Sequence, residues 1–285
     1  MSNSWLSKRF LSATIPLLKA TLRRSSASFR PNHSIPHIMR DKHGFRYIAY
    51  PWNKVSGHGK AARTCNDDDF APIDRLIEPG ALVIDIGANI GAYSYHFSVL
   101  SGSTGLVHAL EPVGFTYRHL CENIVLNHCS TVVTHRLAIG EYTGACEMFT
   151  YGESLSGWNG RGGSVMSGHT PKTREIVQIQ SLDDFCNEQS IQVIDFLKID
   201  VEGFEDSVLH GAKSLLSRGA IRIIMFEVSQ APLEGSGKTA LPIFQILEKY
   251  GYLSYRFDRR RDVFVGPVHD SQAYFANYFA TIGRL

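Results

Sequence analysis

The sequence predicts an α/β fold: an open, mostly parallel, doubly wound sheet behind a basic N-terminal extension. Three observations predict it. Short apolar runs at 81–84, 105–110, 193–199 and 221–226 have the continuous hydrophobicity of strands buried on both faces. Stretches with apolar residues at helical spacing separate these runs. Acids stand where the strands should leave the sheet, at Asp85, Glu111, Asp200 and Glu227, and open α/β sheets bind ligands at that edge.

Bulk properties narrow the function. The 285 residues are 44% hydrophobic and 20% charged, ordinary for a globular protein. The 29 basic and 27 acidic residues nearly cancel, which argues against a broad nucleic-acid surface. Cys65, Cys121, Cys129, Cys146 and Cys186 are odd in number, scattered and without a C-x-x-C pair. They fit reduced thiols in a cytoplasmic protein better than disulfides or a zinc site. No apolar run approaches the roughly 20 residues of a membrane span, so no transmembrane segment is expected.

Residues 1–43 form the extension and 44–285 the expected domain. Lys8, Arg9, Lys19, Arg23, Arg24, Arg30 and Arg40 precede or flank many serines, with no acid before Asp41. Organelle transit peptides, interfacial basic helices and poorly ordered solubilising extensions all share this composition. From Gly44 to Tyr50 the pattern alternates as a strand, which Pro51 ends. Asp67, Asp68 and Asp69 then cap a helix over 70–77 through its free N–H groups, a metal site being the alternative.

The next stretch organises the chain. Asp85 follows the strand 81–84, then come Gly87, Ala88, Asn89 and Gly91, with helical spacing from about Ile90. Small residues there let the backbone turn sharply and approach a ligand. The dinucleotide fingerprint G-x-G-x-x-G lacks its middle glycine, so the ligand is one without a pyrophosphate. The D-x-G-x-N-x-G pattern resembles the first motif of class I S-adenosylmethionine (SAM)-dependent methyltransferases. Glu111-Pro112 ends the second strand, roughly 20 residues beyond the turn, where such folds hold ribose hydroxyls. A helix over 114–127 leads to a third strand over 131–137 that ends at Ala138, next to the adenine in the fold this resemblance implies. Cofactor contacts are therefore expected at Asp85, Gly87, Ala88, Asn89, Gly91, Glu111, Pro112 and Ala138.

Residues 144–150 and 175–180 read as two further strands. The Gly- and Ser-rich insert 151–174 between them, with Trp158 and His169, is either a substrate loop or a plain surface loop. Ser181-Leu182-Asp183-Asp184 is a capping box opening a short helix. The strand 193–199 carries Lys198 and finishes in Asp200, with Glu202 and Gly203 behind it. A helix over 204–216 follows, and then the strand ending at Glu227. Here the resemblance sharpens. VIDIGANIG, Glu111-Pro112, SLDDF and LKIDVEGFEDSVLHGA resemble the FkbM-type methyltransferases over approximately 44–267. That resemblance implies a Rossmann-like class I methyltransferase fold, with a mostly parallel seven-stranded sheet and a C-terminal antiparallel hairpin. It also implies methylation of hydroxyl oxygens on small molecules, such as macrolide polyketides and the sugars of glycolipids or polysaccharides.

The chemistry needs a proton acceptor. SAM carries its methyl on a sulfonium, and an alcohol attacks poorly while protonated. Asp200 is the first choice for the base or orienting acid, with Glu202 and Glu227 as alternatives. Together the three could hold Mg²⁺ or Ca²⁺, although no metal is assigned. Lys198 is expected to brace one of the acids. Nitrogen methylation, a non-catalytic SAM- or nucleotide-binding module and an NAD-dependent dehydrogenase stand as alternatives. Nitrogen methyltransferases often show an Asn/Asp-Pro-Pro-aromatic motif where this chain has Asp200-Val201-Glu202. The remainder predicts a helix over 241–249, a hairpin of strands over 252–257 and 263–265, and a final aromatic helix over 271–282. The basic turn Arg259-Arg260-Arg261 is either solvated or a phosphate site.

Overall fold

The computed structural model describes residues 36–50, 67–150, 159–161, 173–229, 233, 238–270 and 275–285. Trp158, His169, Cys65 and most of the extension lie outside these. The folded unit runs over Ser34–Leu285. Its first strand, β1 (His37–Arg40), falls inside the stretch assigned to the extension and pairs antiparallel with β2 (Arg46–Ala49). This hairpin is sewn to the helix over 114–126. Ile48 N–H donates to Asn123 Oδ1 at 3.0 Å and Arg46 N–H to Asn127 Oδ1 at 2.9 Å.

Next come α1 (Asp67–Ile73), β3 (Leu82–Ile86), α2 (Ala92–Ser101), β4 (Leu106–Leu110), α3 (Gly114–Leu126) and β5 (Val132–His135). The three aspartates form the first turn of α1 rather than preceding it, so the helix stands earlier than expected. The strand expected over 131–137 stops at His135, and β6 (Ala138–Gly140) departs into a second sheet. There β7 (Gly144–Thr150), β8 (Asn159–Arg161) and β9 (Thr173–Ser181) join it in the order β6-β9-β7-β8. Ser181 caps α4 (Leu182–Glu188), its Oγ accepting from Asp184 N–H at 3.1 Å.

Beyond β10 (Ile194–Ile199), the helix expected over 204–216 is two short ones, α5 (Glu205–His210) and α6 (Lys213–Ser217), broken at Gly211. Then follow β11 (Ile221–Ser229), α7 (Leu241–Lys249), β12 (Leu253–Asp258), β13 (Val263–Val268) and β14 (Phe275–Thr281). The final aromatic helix expected over 271–282 is thus a strand. Tyr278 and Phe279 are adjacent apolar residues because β14 lies inside the sheet and needs apolar groups on both faces, and the exposed Phe275 at its end completes a helix-like spacing. Tyr278 packs on Phe226 and Phe244 at 5.6 and 5.1 Å between ring centres, while Phe279 meets Phe264 at 5.4 Å.

The main sheet has eight strands in the order β13-β12-β14-β11-β10-β3-β4-β5. From β11 through β5 it is parallel, and β14, β12 and β13 add an antiparallel edge. One strand more than expected is therefore present, and the β12–β13 hairpin reaches β11 only through β14. Alternation along β10 divides the core. Leu197 and Ile199 pack with Leu209, Leu216 and Phe244 on one face, and Phe196 packs with Phe97 and Val83 on the other. Strand order reverses between β3 and β10, which is where open α/β sheets form a ligand crevice.

Candidate active site

The turn after β3 lies in that crevice. Gly87 has φ +78°, and a Cβ built on it would stand 1.9 Å from the Asp200 carbonyl oxygen and 3.0 Å from its carbon. Only a residue without a side chain lets the turn pass the end of β10 so closely. Gly87 and Ala88 N–H groups both donate to Leu110 O, at 3.0 and 2.9 Å, which ties the turn to β4. Asn89 adopts φ +50°, and its N–H donates to Glu111 Oε2 at 3.1 Å. Gly91, at φ +92°, closes the turn as the residue capping α2.

Glu111 is the clasp of this arrangement. Its Oε1 accepts from Val113 N–H at 3.0 Å, so both carboxyl oxygens already lie on backbone donors. Burial pushes its pKa up to about 7. The two N–H bonds oppose that rise, and the Asp85 and Asp200 charges add to it. Beside Glu111 is an apolar hollow lined by Gly87, Pro112, Ala138, Val201, Phe204 and Met148. The second sheet supplies its outer wall, because β6 and β7 carry Ala138 and Met148. Gly87, Pro112 and Ala138, all expected cofactor contacts, thus meet at one surface. An adenine suits such an apolar wall and a ribose diol suits a carboxylate, so these residues fit SAM.

Asp85 is placed differently. It is fully buried, its Oδ2 accepting from Ser94 Oγ at 2.6 Å and its Oδ1 lying 3.3 Å from Lys198 Nζ. The acid braces the turn from behind. Ala88 likewise packs inward, with Ala109, Leu120 and Ile124.

The three expected catalytic acids gather at the ends of β10 and β11. Asp200 N–H donates to Ile86 O at 3.1 Å, and its Oδ2 accepts from Lys198 Nζ at 3.1 Å. Glu202 takes the left-handed conformation at φ +55°, followed by Gly203 at φ +91°. A non-glycine residue held there stores roughly 1–3 kcal/mol of strain, a cost that recurs at ligand-binding turns. Burial, and then the Asp200 and Glu205 charges, push the Glu202 carboxyl well above the usual range. Glu227, at the end of β11, is raised likewise by burial and then by Asp200, Glu202 and Glu205. Burial opposes charge on Lys198 too, but Asp200 and Asp85 more than offset it and keep the ammonium protonated.

Glu205 escaped the sequence reading. It is 2% exposed, and its Oε1 accepts from Val201 and Gly203 N–H groups, each at 3.1 Å. Burial pushes it up to about 7. The available signal was an acid in the first turn of α5, where it takes up N–H groups left over by the loop. Among the described residues, no three His, Cys, Asp or Glu side chains are grouped so as to hold a metal ion.

Comparison with known proteins adds three findings. Residues 85–254, more than half of the chain, match the model of the methyltransferase FkbM domain. The 31-O-demethyl-FK506 methyltransferase FkbM of Streptomyces tacrolimicus is 27% identical over 161 residues, covering 48% of this chain and 61% of that one. The match thus spans less than two thirds of the relative's length. Among solved structures, an SAM-dependent O-methyltransferase from Thermotoga maritima is similar at 14% identity, with 87% of this chain and 78% of that one covered and a TM-score of 0.41. Aeropyrum pernix fibrillarin, in complex with SAM, is similar at 13% identity, with 86% and 94% covered and a TM-score of 0.40. Overlays this loose leave the architecture to be defined by the chain's own strand order.

Proposed function

The chain belongs to the FkbM family of SAM-dependent methyltransferases, and from that premise we propose that it methylates a hydroxyl oxygen of a small molecule or sugar. Acceptors of polyketide, glycolipid or polysaccharide type fit the reading. The observation that carries it is Asp200, a carboxylate with 26% of its side chain exposed, whose own backbone abuts the glycine turn. When bound, SAM supplies an electrophilic methyl group. Glu111 would accept from the ribose hydroxyls, and Pro112 and Ala138 would hold the base. Asp200 would orient the acceptor hydroxyl and take its proton, releasing it afterwards to solvent, while the methyl lost from the sulfonium sulfur would leave S-adenosylhomocysteine. Glu202 and Glu227, whose carboxyls burial pushes well above the usual range, are the alternatives and act as acceptors only once ionised.

The name of the Streptomyces relative, which specifies an O-methylation, supports oxygen as the acceptor atom. So does the absence of a Pro-Pro-aromatic run after Asp200, against nitrogen methylation. An edge lined with carboxylates, on a chain of net charge +2, disfavours a nucleic-acid acceptor. No helix among the described residues is long and apolar enough to cross a membrane. Cys121, Cys129 and Cys186 are thiols, which suits a cytoplasmic site of action.

The test begins with calorimetric titration of SAM, S-adenosylhomocysteine and NAD. Labelled SAM then follows, with a panel of macrolide, glycolipid and oligosaccharide acceptors. Binding of the first two and a methyl ether product support the proposal. Binding of NAD alone, or a label found only on nitrogen, overturns it. Binding without turnover on any acceptor points to a non-catalytic module.

A further inference from the structure

We propose that Lys198 is a positioning residue that joins the cofactor turn and the acceptor-facing carboxylate into one unit, its ammonium bridging Asp85 behind the turn and Asp200 in front. The inference rests on the reading that SAM binds at this turn. Register supplies the first link. Lys198 of β10 is the direct partner of Asp85 in the parallel β3–β10 pair, so both side chains leave the same face of the sheet. Its Nζ stands 3.3 Å from Asp85 Oδ1 and 3.1 Å from Asp200 Oδ2, and lies 4.7 Å from the centre of the Tyr93 ring.

These contacts continue into α2. Ser94 Oγ donates to the other Asp85 oxygen at 2.6 Å, and Tyr93 and Ser94 both belong to the first turn of α2. Ser94, Asp85 and Lys198 are 0%, 0% and 2% exposed, while Asp200 and the half-buried Tyr93 bring the chain of contacts to the surface. Polar groups so deeply buried are seldom the most stabilising choice, since well-packed apolar side chains often serve a core as well or better. What they do impose is direction. With Oδ2 of Asp200 held by Lys198, the orientation of the whole carboxylate is set.

The other titratable groups around the bridge come from every element that meets there. They are Glu111 after β4, Glu202 between β10 and α5, Glu205 at the start of α5, Glu227 near the end of β11, and Tyr93 on α2. Among the described residues, the ion pairs of Lys198 are with Asp85 and Asp200 only, so the ammonium distinguishes Asp200 from Glu202 and Glu227. Without it, Asp85 and Asp200 face each other across the vacated space. Two such carboxylates share one proton or repel.

The experiment titrates the full chain with S-adenosylhomocysteine from pH 6 to 8.5 in the wild type, K198M, K198R, D200N and the K198M/D200N double variant. We expect K198M to bind about tenfold more weakly at neutral pH, the scale of losing hydrogen bonds to charged groups. Relative to the wild type, its affinity should fall further as pH rises, because the unpaired carboxylates then both ionise. That extra pH dependence should vanish in K198M/D200N, where only one carboxylate remains. K198R should recover the wild-type profile with an affinity lowered about three- to tenfold, since a planar fork does not reproduce a point charge. Identical pH profiles for K198M and the wild type overturn the inference. Where K198M does not fold, wild-type affinity in K198R overturns it instead. A wild type that binds no S-adenosylhomocysteine at any pH refutes the cofactor reading on which the inference rests, whatever the variants do.

Discussion

Replacing Gly87 by alanine tests the architecture at its tightest point. Two costs add. The backbone sits at φ +78°, where an L side chain costs roughly 1–2 kcal/mol. The new methyl would also stand 1.9 Å from the Asp200 carbonyl oxygen, a backbone atom that no rotamer change can move aside. Relieving the clash means displacing the end of β10, at a typical overpacking cost of about 1–3 kcal/mol. The sum is a destabilisation of about 2–5 kcal/mol. Gly251→Ala is the internal control, because Gly251 has φ +83° but nothing within 4 Å of its would-be Cβ. That variant should lose only the conformational part, about 1–2 kcal/mol. Urea unfolding of both, with S-adenosylhomocysteine titration of the survivors, gives the comparison. If Gly87→Ala unfolds no more easily than Gly251→Ala and binds ligand as the wild type does, the close passage of turn and strand is wrong.

The remaining predictions concern single side chains. Glu111→Gln should weaken SAM binding about 10- to 100-fold, the range for losing hydrogen bonds to a charged group. In the wild type, affinity should rise with pH through about 7, where the Glu111 carboxyl ionises, and a flat profile from pH 6 to 8 would contradict this. His108 lies 2.9 Å from His135 between ring nitrogens, and burial, with His135 second, lowers its pKa to about 4. Below its ordinary pKa of about 6.5 the unfolded chain binds a proton that the native state refuses, so this stability is full above that pH and is lost as pH falls towards 4. Allowing for partial solvent screening, the loss is about 2 kcal/mol. Comparing unfolding of the wild type and His108→Gln at pH 7 and pH 5 isolates it from Glu111 and Glu205, which titrate with the opposite effect. Ser181→Ala should cost about 1 kcal/mol through the lost cap, with S-adenosylhomocysteine binding unchanged.

What could be read from the sequence was local. The apolar run, the two glycines and the acid at the next strand's end sit within a few residues of what they shape, so Gly87 and Glu111 could be placed from sequence alone. Other features depend on the pleat. Asp85 was expected at the cofactor, yet it leaves the sheet on the α2 face and meets Ser94 and Lys198. Lys198 was expected to brace one of the acids, but that Asp85 is among them follows only from the register of β3 against β10. Glu205 was passed over because an acid in a first helical turn is common, and only the folded loop shows two N–H groups converging on it. Tyr278 and Phe279 misled for a third reason, since spacing alone does not separate a doubly buried strand from a helix.

The interior position of β14 has a consequence for how the molecule is made. A ribosome releases β3, β4, β5, β10 and β11 first, and these can pair among themselves. The outer edge of β11 then stays open, because its neighbour is residues 275–281 and not the next strand in line. Six consecutive pairings, Ile224 to Ser229, wait for that late segment, and Glu227 is among them. An unpaired, largely apolar edge is a template for self-association. The wall of the crevice that carries Glu227 is therefore sealed last, and a nascent chain holds a glycine turn before it holds a finished site.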